Sequence, residues 1–112
     1  MRAQFIELPA FERHRQRYLD DDQFRLLQVD LMRDPGCGDV IAATGGLRKM
    51  RFGDVRRGKG KRGGLRVIYY WREKEAQFWL FAVYDKDEIE DLSSSEKKAL
   101  KSMLDTELEA RQ

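Results

Sequence analysis

Nine consecutive residues, Ala76 to Tyr84, read AQFWLFAVY, with apolar side chains at both odd and even positions. A run this short, aromatic and β-branched reads as a strand. Because both of its faces are apolar, both must be covered, and the strand belongs in the middle of a sheet. Two further strand-like segments precede it. Leu65 to Arg72 is rich in β-branched and aromatic residues. Leu47 to Phe52 alternates, with Met50 and Phe52 pointing one way and Lys49 and Arg51 the other. Lys74-Glu75 reads as a tight turn, and residues 53–64 as a basic hairpin loop with five glycines. Three strands joined in this way should be antiparallel.

The rest of the chain supplies helices. Ala3 to Leu8 reads as a short first strand. Pro9 suits the first turn of a helix, and Phe11, His14 and Tyr18 follow at helical spacing. Asp20-Asp21-Asp22 is an acidic helix start, Phe24, Leu27 and Leu31 form an apolar stripe, and Pro35-Gly36 ends that helix. Residues 36–46 read as a Gly/Ala/Thr connection. Ser93-x-x-Glu96 is a capping box before an amphipathic helix carrying Leu100, Met103, Leu104 and Leu108. The expected fold is α+β, ordered β-α-α-β-β-β-α, in one domain spanning 1–112. Its antiparallel sheet should carry two helices on one face and leave the other partly open.

Charge is the second constraint. Residues 46–72 hold ten of the 22 Lys/Arg and one of the 20 Asp/Glu, so the net +2 conceals a strongly basic segment beside an acidic remainder. Concentrating like charge costs self-repulsion that folding does not require. No apolar run approaches the roughly 20 residues of a membrane span, and the N-terminus lacks the apolar stretch of a signal peptide. Cys37 is the single cysteine and His14 the single histidine. One of each gives no metal-ligand spacing and no internal disulfide, which fits a reducing cytoplasm. No metal or other cofactor is expected.

Three readings of the basic segment compete. It can be a solvated charged loop. It can be a nucleic-acid surface, with Lys and Arg on phosphates and Tyr69, Tyr70, Trp71 or Trp79 stacking bases, although their alternation along strands points to the core. It can also be a cationic site that cleaves RNA. Cleavage through the substrate's own 2′-hydroxyl needs the hydroxyl oriented and deprotonated, the phosphate charge stabilised and the leaving 5′-oxygen protonated. Arg clamps phosphate through two parallel hydrogen bonds. A lysine crowded by cations titrates lower and can exchange protons. Lys49, Arg51, Arg66, Tyr84 and Lys86 are the candidates, since they alternate on strands or stand at a strand end. Composition does not separate cleaving from binding.

The runs LRKMRF (47–52), GKGKRGGLRVIYY (58–70), YDKDE (84–88) and DLS (91–93) resemble the HigB-type branch of the RelE/ParE toxin superfamily. The resemblance covers nearly the whole chain and implies a small toxin of a toxin–antitoxin pair. Such toxins cleave mRNA on the ribosome without metal, and a separately encoded helix-turn-helix antitoxin neutralises them. On that resemblance the strand-2 cation falls on Lys49 with Arg51 or Arg48, the third-strand arginine on Arg66, and the basic residue after the fourth strand on Lys86. No tyrosine follows Tyr84, so the general-base role of some relatives falls to Tyr84, Lys49 or Lys86. Arg48, Arg56, Arg57, Lys59, Lys61 and Arg62 are expected to dock RNA or ribosomal RNA. The competing readings are a non-cleaving relative, inactive or a gyrase binder of the ParE kind, and a simple RNA-binding domain.

Overall fold

The structure is a computed structural model that describes residues 2–53, 64–89 and 91–111. The elements follow the expected order with one addition. Strand β1 (Gln4–Glu7) leads into α1 (Pro9–Tyr18) and α2 (Asp21–Arg33). A two-residue strand, β2 (Asp39–Val40), then precedes β3 (Arg48–Phe52), β4 (Leu65–Arg72), β5 (Gln77–Asp85) and α3 (Ser94–Ala110). Local chemistry sets the helix starts. Pro9 opens α1, the Asp20 carboxylate accepts from the Gln23 amide at the start of α2, and Ser93 and Glu96 form a reciprocal capping box.

Among the described residues the sheet has five strands in the order β1-β5-β4-β3-β2. The β3–β4–β5 meander is antiparallel, as the sequence suggests. Two features were not expected. Strand β2 arises in the Gly/Ala/Thr connection and pairs Asp39 with Lys49 and Val40 with Arg48. Strand β1 runs parallel to β5, pairing Phe5 with Phe78. A parallel neighbour needs a long crossover, and the chain between β1 and β5, including both early helices, provides it. Strand β5 therefore has partners on both sides, which is where its two apolar faces placed it.

Each sheet face carries its own core. On one, α1 and α2 bury Phe11, Leu27 and Leu31 against Met50, Phe52, Leu65, Val67, Tyr69, Phe78 and Leu80. On the other, α3 buries Leu104 against Ile68, Trp79 and Phe81, with Leu100 and Leu108 partly covered. The second face is thus half roofed, where the sequence suggested a partly open one with no helix assigned to it. Helix α3 covers it because its capping box starts the helix beside the β5 end and its leucines face the sheet.

One irregularity matters for the site. Ile68 pairs with Ala82 while Tyr69 pairs with Leu80, so Phe81 is an extra residue, a β-bulge in β5. Phe78 and Leu80 face α1 and α2, Phe81 and Ala82 both face α3, and Val83 returns to the α1/α2 side. Past the bulge Tyr84 lies on the α3 face, opposite Arg66.

Candidate functional site

The candidate residues are placed by strand parity. Arg51 lies directly opposite Arg66 across β3 and β4, and Arg66 directly opposite Tyr84 across β4 and β5. Lys49 is opposite Ile68, which faces α3. Lys49, Arg51, Arg66 and Tyr84 therefore share the α3 side of the sheet. Side chains paired in this way have Cβ atoms roughly 5 Å apart. Two arginines in direct opposition repel one another, a destabilising arrangement that packing alone would not select.

Arg66 is shared by two open depressions. One, of about 770 Å³, is lined by Lys49, Arg51 and Arg66. The second is lined by Arg66 with Lys86, Asp87 and Glu88. Since β4 lies between β3 and β5, Lys49 and Arg51 stand on one side of Arg66, and Tyr84 and the Lys86 turn on the other. The Arg66 guanidinium also donates to the Leu65 carbonyl at 3.1 Å. Tyr84 is 7% exposed. Burial raises its phenol above the ordinary value, Arg66 opposes that shift, and Glu96 and Asp91 add to it.

Other candidates lie elsewhere. Arg48 is next to Lys49 in sequence but opposite Tyr69, on the other face. Its guanidinium donates to the Gly38 carbonyl at 2.7 Å and the Gly36 carbonyl at 3.4 Å, which fastens the turn after α2. Arg56, Arg57, Lys59, Lys61 and Arg62 lie outside the described residues. His14 is exposed on α1, and Tyr69 and Trp79 are fully buried.

The scaffold beneath Lys49 is tightly fitted. The Tyr69 hydroxyl donates to the Pro35 carbonyl at 2.7 Å and accepts from the Gly38 amide at 3.0 Å. A Cβ on Gly38 would stand 2.9 Å from the Tyr69 ring and 3.0 Å from the Lys49 backbone. Glycine is therefore required where β2 meets β3. Burial raises the Tyr69 phenol, with the Gly38 amide opposing.

Sequence reasoning missed the acidic side of the groove. Asp30, Asp34, Asp39 and Asp91 line it with the cations. Only the pairing of Asp39 with Lys49 could have shown this, and β2 is too short to carry a pattern. Cys37 also lines the groove. Its thiol is pushed up by desolvation, opposed by the Tyr69 hydroxyl 3.8 Å away and reinforced by Asp34 and Asp30. This makes it a weak nucleophile. Among the described residues no three His, Cys, Asp or Glu side chains converge as metal ligands do, and no helix is long and apolar enough to cross a membrane.

Comparison with known proteins bears on the family and the fold. A family model described as the RelE toxin of the RelE/RelB toxin–antitoxin system matches residues 11–112. Among solved structures, the chain is similar to a double arginine-to-alanine mutant of the Escherichia coli toxin RelE in the free state. The TM-score is 0.52 at 14% identity, over 80% of this chain and 90% of that one. At that identity the match speaks for the fold.

Proposed function

This chain belongs to the RelE toxin family, and we propose that it is a ribosome-dependent mRNA endonuclease of the HigB-type branch, neutralised by a helix-turn-helix antitoxin. The observation that carries this reading is the Arg51–Arg66 opposition flanked by lysines on both sides. A phosphodiester at Arg66 relieves the repulsion and receives donors from both guanidinium forks.

Strand geometry fits an in-line displacement. The 2′-oxygen attacks phosphorus, the 2′-O–P bond forms, and the bond to the 5′-oxygen breaks on the opposite side. One proton leaves the 2′-hydroxyl and another reaches the 5′-oxygen. The two exchanging groups must therefore flank the phosphate. Lys49 on β3 and Lys86 after β5 do flank Arg66, so they take these roles, while Arg51 and Arg66 hold the charge that develops on phosphate. Tyr84, whose phenol is raised, keeps its proton at neutral pH and enters as a hydrogen-bond donor to the phosphate. Arg56, Arg57, Lys59, Lys61 and Arg62 supply attraction to ribosomal RNA, which grows weaker with salt. No step requires a metal.

Controlled expression without the antitoxin tests the reading. Growth should stop, and new mRNA 5′ ends should accumulate within translated regions. Purified protein should leave naked mRNA largely intact, because ribosome docking supplies part of the orientation. Normal growth with an unchanged map of transcript ends, at verified soluble expression, would sink the proposal. Growth arrest with intact mRNA would move the assignment to a binding toxin.

A further inference from the structure

The turn that carries Lys86 is braced from the far side of the molecule. From the last residue of β5 onward, four successive amides are all engaged. Asp85 N–H donates to Glu88 Oε1 at 3.2 Å and Lys86 N–H to the Gly64 carbonyl at 3.3 Å. Asp87 N–H donates to Asp85 Oδ1 at 2.8 Å, and Glu88 N–H to the Asp85 carbonyl at 2.9 Å. Asp85 itself is 1% exposed, so its carboxylate is held inside the fold while it caps the turn. The Glu88 carboxylate that closes this arrangement is in turn gripped by α1. Tyr18, 70 residues away in sequence, donates its hydroxyl to Glu88 Oε1. The Arg17 guanidinium lies 3.6 Å from Glu88 Oε2.

Neither Tyr18 nor Glu88 has a part in the chemistry above, and Tyr18 is buried to its rim while Glu88 reaches outward. The Tyr18 ring packs in the α1/α2 core, and its hydroxyl reaches the turn. Lys86 and Glu88 line the same depression with Arg66. A lysine has four rotatable side-chain bonds, so the place of its ammonium depends first on a fixed Cα.

We propose that Tyr18 and Glu88 are positioning residues for Lys86, linking helix α1 to the catalytic turn through the Tyr18–Glu88 hydrogen bond. The inference rests on the endonuclease reading and adds to it a brace remote from the phosphate. Removing the Tyr18 hydroxyl leaves the ring in the core and leaves Glu88 held from α1 by the longer Arg17 contact alone, which loosens residues 85–88. Misplacing a reacting group by about an ångström costs up to roughly 100-fold in rate.

The experiment is single-turnover cleavage of mRNA on saturating ribosomes, with amide hydrogen exchange measured on the same proteins. Tyr18→Phe should lower the rate about tenfold, leave ribosome affinity unchanged, and speed exchange at the Asp87 and Glu88 amides. Glu88→Gln keeps an acceptor oxygen and should hold the parental rate, whereas Glu88→Ala should match Tyr18→Phe. In a Lys86→Ala background Tyr18→Phe should cost nothing further, because the effect passes through Lys86. A Tyr18→Phe protein that cleaves at the parental rate overturns the proposal, as does unchanged exchange at the turn or full additivity with Lys86→Ala. A parental protein that leaves ribosome-bound mRNA intact overturns the endonuclease reading instead, and exchange at the turn then separates the two failures.

Discussion

On the α3 side of the sheet, Ile68, Trp79 and Phe81 are sealed beneath Leu104. One alternation further along the same strands, Arg51 and Arg66 face the same way outside that core, beside Tyr84 at its buried edge. Strand propensity does not distinguish the two halves, because both read as ordinary β-structure. What differs is the reach of one helix. Where α3 lies on the sheet, the outward positions are apolar. Beyond its reach, the same parity carries cations. One half of the face is organised for stability and the other for charge, and substitutions should therefore fail in different ways.

The largest expected effect is on the covered half. Leu104→Ala removes the fully buried side chain of α3 and should cost about 3 kcal/mol, a fall in thermal midpoint of roughly 10 °C or more. Cleavage per folded molecule at low temperature should be retained. A midpoint within a few degrees of the parent would mean that α3 is not the roof it looks to be. Next comes the uncovered half. Arg66→Ala should lose on the order of 100-fold in single-turnover cleavage, as for removal of a preorganised oxyanion donor, while the thermal midpoint moves far less than for Leu104→Ala. Arg66→Lys should not restore the rate, because a point charge does not replace a bidentate fork. Loss of stability without loss of rate would reverse the division between the halves.

A smaller effect should join the two. Gly38→Ala drives a methyl group against the Tyr69 ring and the Lys49 backbone. It should cost about 2 kcal/mol as overpacking does, measured by denaturant unfolding, and should slow cleavage by displacing Lys49. The smallest is a pH effect. The Tyr69 and Tyr84 phenols are both raised above their ordinary value of 10.0 in the folded chain. The unfolded chain therefore loses these protons first. Their contribution to stability is complete below about pH 10 and is lost as pH rises toward the folded values. Tyr84→Phe should flatten that alkaline decline, and an unchanged slope would show that the phenol is not held in a desolvated site.

The legible parts of this molecule are those written in local repetition. The two-faced run at 76–84 announced a central strand, and Ser93 with Glu96 announced the start of α3. The alternation of Lys49 and Arg51 against Met50 and Phe52 announced which side chains would share a face. The parts that escaped depend on distant partners. Strand β2 exists because Asp39 and Val40 find β3, and two residues carry no period. The parallel docking of β1 needs β5, which lies some seventy residues later in the chain. Arg48 reads as one more cation of the cluster, yet Gly36 and Gly38 hold it on the opposite face. The aspartates of the groove had no sequence signal, since they come from α2 and the turn after it, from the edge strand and from the approach to α3.

A one-residue deletion is among the most damaging changes a strand can suffer, since it turns every later side chain to the wrong face. Strand β5 carries a spare residue against that accident. Without Phe81, Leu80 would still sit opposite Tyr69 and Ala82 opposite Ile68, now as neighbours in plain register. Val83 would stay on the α1/α2 side and Tyr84 beside Arg66. The loss would be a ring from the α3 core, with the Arg51–Arg66–Tyr84 row intact. Removing Val83 instead would send the phenol into the opposite core. Codon loss in this strand is therefore graded by position. It is tolerable at the bulge and ruinous two residues beyond it, so the chain can vary in length here without losing the order of its site.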